Sequence, residues 1–327
     1  MLYLHCGWPR TSTTSLQTAL FVHREELAVA GVLFPERWLT KKTPTHHGLS
    51  ELLRDSRETP DPFDRFRVFL DVNSGRDVIF SAEAITTWLL SGERQDVLLR
   101  FLAAAREAVE VRCIWTLRRF DDAIRSLYLR RLVLGLDLLP PEQHFNRIHD
   151  LNEFFSGMLR VQDAVDGNVV YVRYESGGGH NDDLLAAFGI PPAARVKIRE
   201  QLLYGSRLNA SVGHKAAVAL LNLDELSTKI GAQLDGVALR KALQLGDFEF
   251  DGDRTCVLVS GAVRRHLHEQ ALAGAHNQRF LPYDDFFGDA EIPDSAPVDM
   301  VSDALTDEDL QRLARFSDAR IELDPTV

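Results

Sequence analysis

The chain has 327 residues, 45% of them hydrophobic and 26% charged, with a formal net charge of −11. These values describe a globular protein with a large core, and the acidic surplus argues against a nucleic-acid surface, which needs clustered cations. No apolar run approaches the roughly 18 residues of a membrane span, and the opening "MLYLHCGWPR" lacks the basic and apolar regions of a signal peptide, so the chain reads as cytoplasmic. Three cysteines (Cys6, Cys113, Cys256) without paired spacing argue against a disulfide framework and a zinc site; Cys6 and Cys113 read as buried thiols.

In chain order, "LYLHC" (2–6) predicts a first strand and residues 14–31 a helix closed by Gly31. Residues 32–34 predict a short second strand, and the segment after it is polar and irregular in its first half. "DVIFSAE" (77–83) predicts a third strand, 98–109 a helix, and "VRCIWTL" (111–117) a fourth strand. Helices follow at 120–135 and 151–165, then a fifth strand at 168–174, and "DLLAAFGI" closes the alternation. Strands alternating with helices imply an α/β fold whose parallel sheet is covered on both faces, with ligands at the carboxyl ends of the strands. Helices at 213–226, 237–248 and 305–320 suggest helical decoration. The expected organisation is one domain over 1–327, with a core at 1–225 and a helical and loop extension at 226–327.

Between the first strand and the first helix runs "CGWPRTSTTSLQ" (6–17). A strand, a glycine turn and a helix start expose backbone N–H groups at a positive helix end, a ready anion site. Gly7, Pro9, Thr11, Ser12, Thr13, Thr14 and Ser15 form this loop, and Arg10 adds a fixed cation. Such a cluster also suits an ordinary helix N-cap. An ATP-binding loop needs lysine before its last Ser/Thr, and Thr13 stands there, which weakens a kinase or ATPase reading. About a hundred residues on, Arg118 ends the fourth strand, and Ser126 lies two turns into the next helix. A forked guanidinium and a hydroxyl could meet one phosphate there.

The loop "WPRTSTTSL" (8–16), paired with Arg118 and Ser126, resembles the sulfotransferases that use 3′-phosphoadenosine 5′-phosphosulfate (PAPS). "VIFSAEAI" (78–85), "VVYVRYES" (169–176) and "RLNASVGHKAAVALL" (207–221) resemble further segments of bacterial members. The resemblance spans roughly residues 1–225 and implies a P-loop-NTPase-like three-layer fold with a central parallel sheet. It implies that the first loop holds the 5′-phosphosulfate and that Arg118 and Ser126 hold the 3′-phosphate; with Arg10, Arg118 and the loop amides to neutralise such a donor, no metal is expected. It also implies sulfuryl transfer to a hydroxyl of a carbohydrate, lipid or small metabolite. The family loop usually has lysine and glycine where this chain has Arg10 and Ser12. A nucleotide-dependent phosphotransferase and a catalytically lapsed nucleotide-binding protein are the alternatives.

A base that takes the acceptor's proton is expected near a strand end. The candidates are His46 and His47 in "TPTHHGL" (43–49), preferred, and Glu83. Tyr174, ending the fifth strand, either stacks on an adenine or belongs to the core. His144 and His149 read as surface residues, and the stretch 129–145 with Pro140 and Pro141 as a lid or acceptor rim.

Overall fold

A computed structural model describes residues 1–8, 11–40, 43–55, 61–136, 151–174, 179–205, 213–245, 248–250, 261–292 and 305–321. Pro9, Arg10, Pro140, Pro141, His144 and His149 lie outside these residues, as does the segment 207–212. The protein is α/β. Strands β1 (Leu2–Gly7), β2 (Val32–Leu33), β3 (Asp77–Ser81), β4 (Val111–Leu117) and β5 (Val169–Arg173) form one parallel sheet in the order β2-β3-β1-β4-β5.

The helices of the first half are α1 (Thr13–Val22), α2 (Arg24–Val29), α3 (Gly48–Asp55), α4 (Asp61–Val72), α5 (Gly92–Ala108) and α6 (Phe120–Val133), with a 3-10 helix at Glu83–Leu90. Then follow α7 (Leu151–Ala164), α8 (Asn181–Ala187), α9 (Pro192–Gly205), α10 (His214–Leu221) and α11 (Leu223–Ile230). The last are α12 (Gly236–Leu245), α13 (Gly261–Asn277), α14 (Leu281–Phe287) and α15 (Asp307–Ile321).

The chain divides into two compact units. One comprises Met1–Ala123, His149–Ala210 and Glu269–Ala290; the other comprises Ile124–Ile148, Ser211–His268 and Glu291–Val327. The first holds the sheet. Alternate residues of a strand face opposite sides, so Tyr3, Ile79, Ile114 and Val172 meet Leu16 and Leu20 of α1, Leu184 of α8 and Ile198 of α9. On the other face Phe80 packs on Phe66 of α4, which packs on Phe101 of α5. Helices on both faces make three layers. Cys6 and Cys113 lie fully buried on this second face, where burial pushes both thiols up, Cys113 to about 12.

The second unit is helical among its described residues. Its core joins Tyr128, Leu129 and Leu132 of α6 to Leu220 of α10, Leu226 of α11, Leu239 of α12 and Leu313 of α15. Lys215 pairs with the buried Asp309 at 2.8 Å. Asp309 also accepts hydrogen bonds from the Thr306 amide and hydroxyl at 2.9 and 2.8 Å, while its own amide donates to Thr306 Oγ1 at 3.2 Å. This reciprocal capping starts α15.

Two expected helices are each broken in two. The helix expected over 14–31 divides at His23, which pairs with Glu26 at the start of α2. The helix expected over 213–226 divides at Asn222, whose side chain donates to the Val218 carbonyl at 2.8 Å and so competes with the helical ladder. The helices α4, α9, α13 and α14 had no counterpart in the sequence reading.

Phe80 is fully buried among Trp38, Phe66, Phe69 and His46. Truncation of such a side chain leaves a cavity and lost contacts. Phe80→Ala should cost about 3–5 kcal/mol in urea unfolding with an unchanged denaturant slope; a cost under about 1 kcal/mol would contradict this core.

Candidate functional site

The carboxyl end of β1 carries the loop singled out above. The chain leaves β1 through α1 on one face of the sheet, while its neighbour β3 leads on to α5 on the other. Open α/β sheets bind ligands in the crevice where such connections diverge.

Local contacts shape the loop tightly. Trp8 N–H donates to the Thr116 carbonyl at 3.1 Å, and the Thr86 hydroxyl to the Gly7 carbonyl at 2.8 Å. The Thr11 hydroxyl donates back to the Trp8 carbonyl at 2.7 Å. A Cβ at Gly7 would stand 2.8 Å from both Thr11 Oγ1 and Thr13 Cγ2, so the close turn requires glycine here. Trp8 itself is buried, stacked on Tyr283 and edge-on to Phe120 and Phe154, which moors the loop in the first unit.

Ser12 caps α1 in a left-handed conformation, φ 58° and ψ 20°, without a side-chain capping hydrogen bond. A left-handed backbone is one that glycine adopts without strain. Left-handed geometry costs a non-glycine residue about 1–2 kcal/mol. The first turn of α1 has no acidic residue, so its positive end is uncompensated within the helix. Thr11, Thr13 and Ser15 are buried; Ser12 and Thr14 are partly exposed.

Glu83 begins the 3-10 helix after β3 and accepts a hydrogen bond from the Thr13 hydroxyl. The structure therefore brings this candidate base to the start of α1. His46 is elsewhere in character. It is fully buried between Phe34 and Phe80; its Nδ1 accepts from the Ser81 amide at 3.1 Å and its Nε2 donates to the Pro35 carbonyl at 2.8 Å. Those partners fix one neutral tautomer, and burial, opposed by the two backbone bonds, holds its pKa at about 4. With both nitrogens engaged, His46 pins its loop to β3 and has no lone pair for a substrate. His47 is partly buried, and its Nδ1 finds no partner among the described residues.

Beneath the loop lies a buried polar group that sequence reasoning missed. His5 hydrogen-bonds Ser81 Oγ through Nδ1 at 2.8 Å and Thr116 Oγ1 through Nε2 at 3.2 Å. Gln17 of α1 donates to Ser81 Oγ at 3.1 Å. Burial, with the positive charge of a protonated His180 adding to it, drives the His5 pKa to about 3. The alternation of β1 placed His5 on the α1 face; only the register could show that Ser81 and Thr116 flank it.

A second feature lies at the ends of β4 and β5. There a cavity of about 340 Å³ is lined by Arg118, Arg119, Asp122, Arg173, Tyr174 and Phe287. Arg118 lies 4.8 Å over the Tyr174 ring. Arg119 grips the buried Asp121 at 2.6 and 3.1 Å and pairs with Asp122 at 3.1 Å. Both acids sit in the first turn of α6, so that helix end is already compensated, unlike that of α1. Ser126 is a buried residue of α6 and belongs to the second unit. Arg119, Arg173 and Phe287 carried no assignment from sequence. The signal for Arg173 was its place at a strand end, like Arg118.

Comparison with models of known protein families, with curated proteins and with solved structures returns no match for this chain. Among the described residues, no group of three or more His, Cys, Asp or Glu is placed to hold a metal ion, and no helix is long and apolar enough to cross a membrane.

Two outcomes follow. Ser12→Gly should be neutral or stabilising by up to about 1 kcal/mol, while β-branched Ser12→Val should destabilise by about 1 kcal/mol or more in thermal unfolding. The neutral buried histidines bind protons only when the chain unfolds, because their pKa values are depressed from about 6.5 to about 3 and about 4. Stability should therefore fall as pH drops from 6.5 to 5, by up to about 1.4 kcal/mol per pH unit for each histidine. Urea titrations of His46→Asn, which keeps an acceptor for the Ser81 amide, should show about half that slope; an unchanged slope would contradict the neutral buried assignment.

Proposed function

We propose that the protein is a PAPS-dependent sulfotransferase of P-loop-like fold, acting on a hydroxyl of a carbohydrate, lipid or small metabolite. The observation that carries this reading is the pairing of two anion-accepting features on one sheet edge. One is the acid-free start of α1 after Gly7; the other is the arginine-lined cavity at the ends of β4 and β5. A donor with a phosphosulfate at one end and a phosphomonoester at the other suits two such features. The sequence resemblance of the loop and of Arg118 points the same way.

In this reading the amides of α1, with the hydroxyls of Thr14 and Ser15, receive the phosphosulfate, while the Thr13 hydroxyl donates to Glu83. Thr116, Thr86 and Thr11 hold the loop in shape through its backbone carbonyls and amide. Arg118, laid on Tyr174, receives the phosphomonoester. The donor supplies the sulfuryl group, and the protein's part is to orient the acceptor oxygen in line with it and to remove its proton. Glu83 is assigned the proton. It is the one candidate base that the Thr13 hydroxyl ties to the donor loop, while His46 serves the fold.

Calorimetric titration tests the reading. Adenosine 3′,5′-bisphosphate should bind without magnesium and more tightly than AMP or ADP. Magnesium-dependent preference for ADP would replace the reading with a phosphotransferase, and no nucleotide binding at all would overturn it. Once an acceptor is found, Glu83→Gln should lower kcat by about 10²–10⁴-fold without weakening bisphosphate binding, because it removes a negative charge beside the loop.

A further inference from the structure

One side chain of α14 touches both stretches of chain that the reading above depends on, and it has no task in that reading. Tyr283 is fully buried. Its ring stacks on Trp8, the residue after Gly7, at 6.0 Å and 28°. Its hydroxyl accepts a hydrogen bond from the Phe120 amide at 2.9 Å. Phe120 is the first residue of α6 and follows Arg118 and Arg119 directly. All of these residues belong to the first unit.

The two contacts differ in what they fix. Rings alone hold the Trp8 indole: it meets Tyr283, Phe120 and Phe154, and its Nε1 finds no hydrogen-bond partner among the described residues. Ring contacts are broad in geometry, whereas a hydrogen bond weakens steeply away from its preferred length and angle. The Phe120 amide is one of those that a helix start leaves without a partner inside the helix, and the phenol supplies one. Behind the tyrosine, Phe155 of α7 packs on its ring at 5.4 Å and stacks on Phe280, where α14 begins, at 5.2 Å. Tyr283 is thus held by the loop, by α6 and by α7 together. The sheet joins β1 to β4 as far as the Trp8 amide and the Thr116 carbonyl, and Tyr283 continues that link beyond the strand ends.

We propose that Tyr283 is a positioning residue that sets the spacing between the loop after β1 and the start of α6, so that a ligand with an anionic group at each end meets both features at once. This rests on the sulfotransferase reading and adds to it a residue acting through Trp8 and Phe120. Spacing matters only to a ligand that spans it. Once one end of such a ligand is bound, its other end is presented at high effective concentration, and part of that gain is lost where the second feature must first be brought into place. A ligand with one charged end uses one feature and is indifferent to the spacing.

The test measures binding of adenosine 3′,5′-bisphosphate, adenosine 5′-monophosphate and adenosine 3′-monophosphate to the wild type, Tyr283→Phe and Trp8→Phe, with thermal midpoints as fold controls. Tyr283→Phe keeps the stack and removes the acceptor of the Phe120 amide. It should weaken the bisphosphate about three- to tenfold, the range of one lost neutral hydrogen bond, and change each monophosphate by less than about twofold. Trp8→Phe shrinks the other ring of the stack and should give a loss of the same kind. Unchanged bisphosphate affinity in folded Tyr283→Phe overturns the positioning role and leaves the sulfotransferase reading standing; if that variant is unfolded at the assay temperature, the same result in Trp8→Phe does so. Equal weakening of all three nucleotides also overturns the role, because a disturbed fold and not a spacing is then at work. A wild type that binds the bisphosphate no more tightly than the 5′-monophosphate overturns the donor reading and the positioning role together.

Discussion

The parallel pairing of β1 on both its sides is the constraint from which the other placements follow. Residues Leu2–His5 pair with Val78–Ser81, and Leu2–Gly7 pair with Val111–Thr116. A strand bonded on both sides cannot shift by one residue without turning every side chain to the wrong layer. The register therefore decides that Gly7 ends beside Thr116, whose carbonyl receives the Trp8 amide. It also decides that His5 stands between Ser81 and Thr116. The loop's geometry is thus a consequence of sheet pairing as much as of its own glycine and hydroxyls.

Beneath that loop the protein uses neutral polar contacts. A charged group there would either repel the loop's positive backbone end or compete with a ligand for it. His5 and His46 instead stay neutral well below physiological pH because burial disfavours their protonated forms. Each uses both ring nitrogens to tie segments together, β1 to β3 and β4 in one case, and the 34–46 stretch to β3 in the other. The same physics that makes histidine an apt base in an open cleft makes these two structural.

That distinction explains what the sequence could and could not show. All five strands were legible, because "LYLHC", "DVIFS" and "VRCIWTL" are short apolar runs with clear ends, and their alternation with helices implied the parallel sheet. The helix breaks at His23 and Asn222 were not legible, since apolar periodicity runs through both. Arg118 and Glu83 could be named from their places at strand ends, where a parallel sheet collects polar side chains. His46 could not be separated from His47 by type alone; only the Ser81 amide and the Pro35 carbonyl reveal its engaged nitrogens. Arg173 and Phe287 are more than a hundred residues apart in sequence and meet through packing, which no local pattern encodes.

The starts of α1 and α6 differ in their electrostatics. Both helices follow a sheet strand. In α6 the acids Asp121 and Asp122 compensate the positive helix end and hold Arg119 as well. In α1 no acid intervenes in the first turn, and the nearby carboxylate, Glu83, comes from another element and is held by the Thr13 hydroxyl. A carboxylate so placed would weaken a site meant only to hold an anion, because like charges repel. It is understandable where the site must also take a proton as the anion is transferred. On this view Glu83 lowers the loop's affinity for its ligand and supplies the acceptor's base. The two effects share one cause, the closeness of its carboxylate to the start of α1.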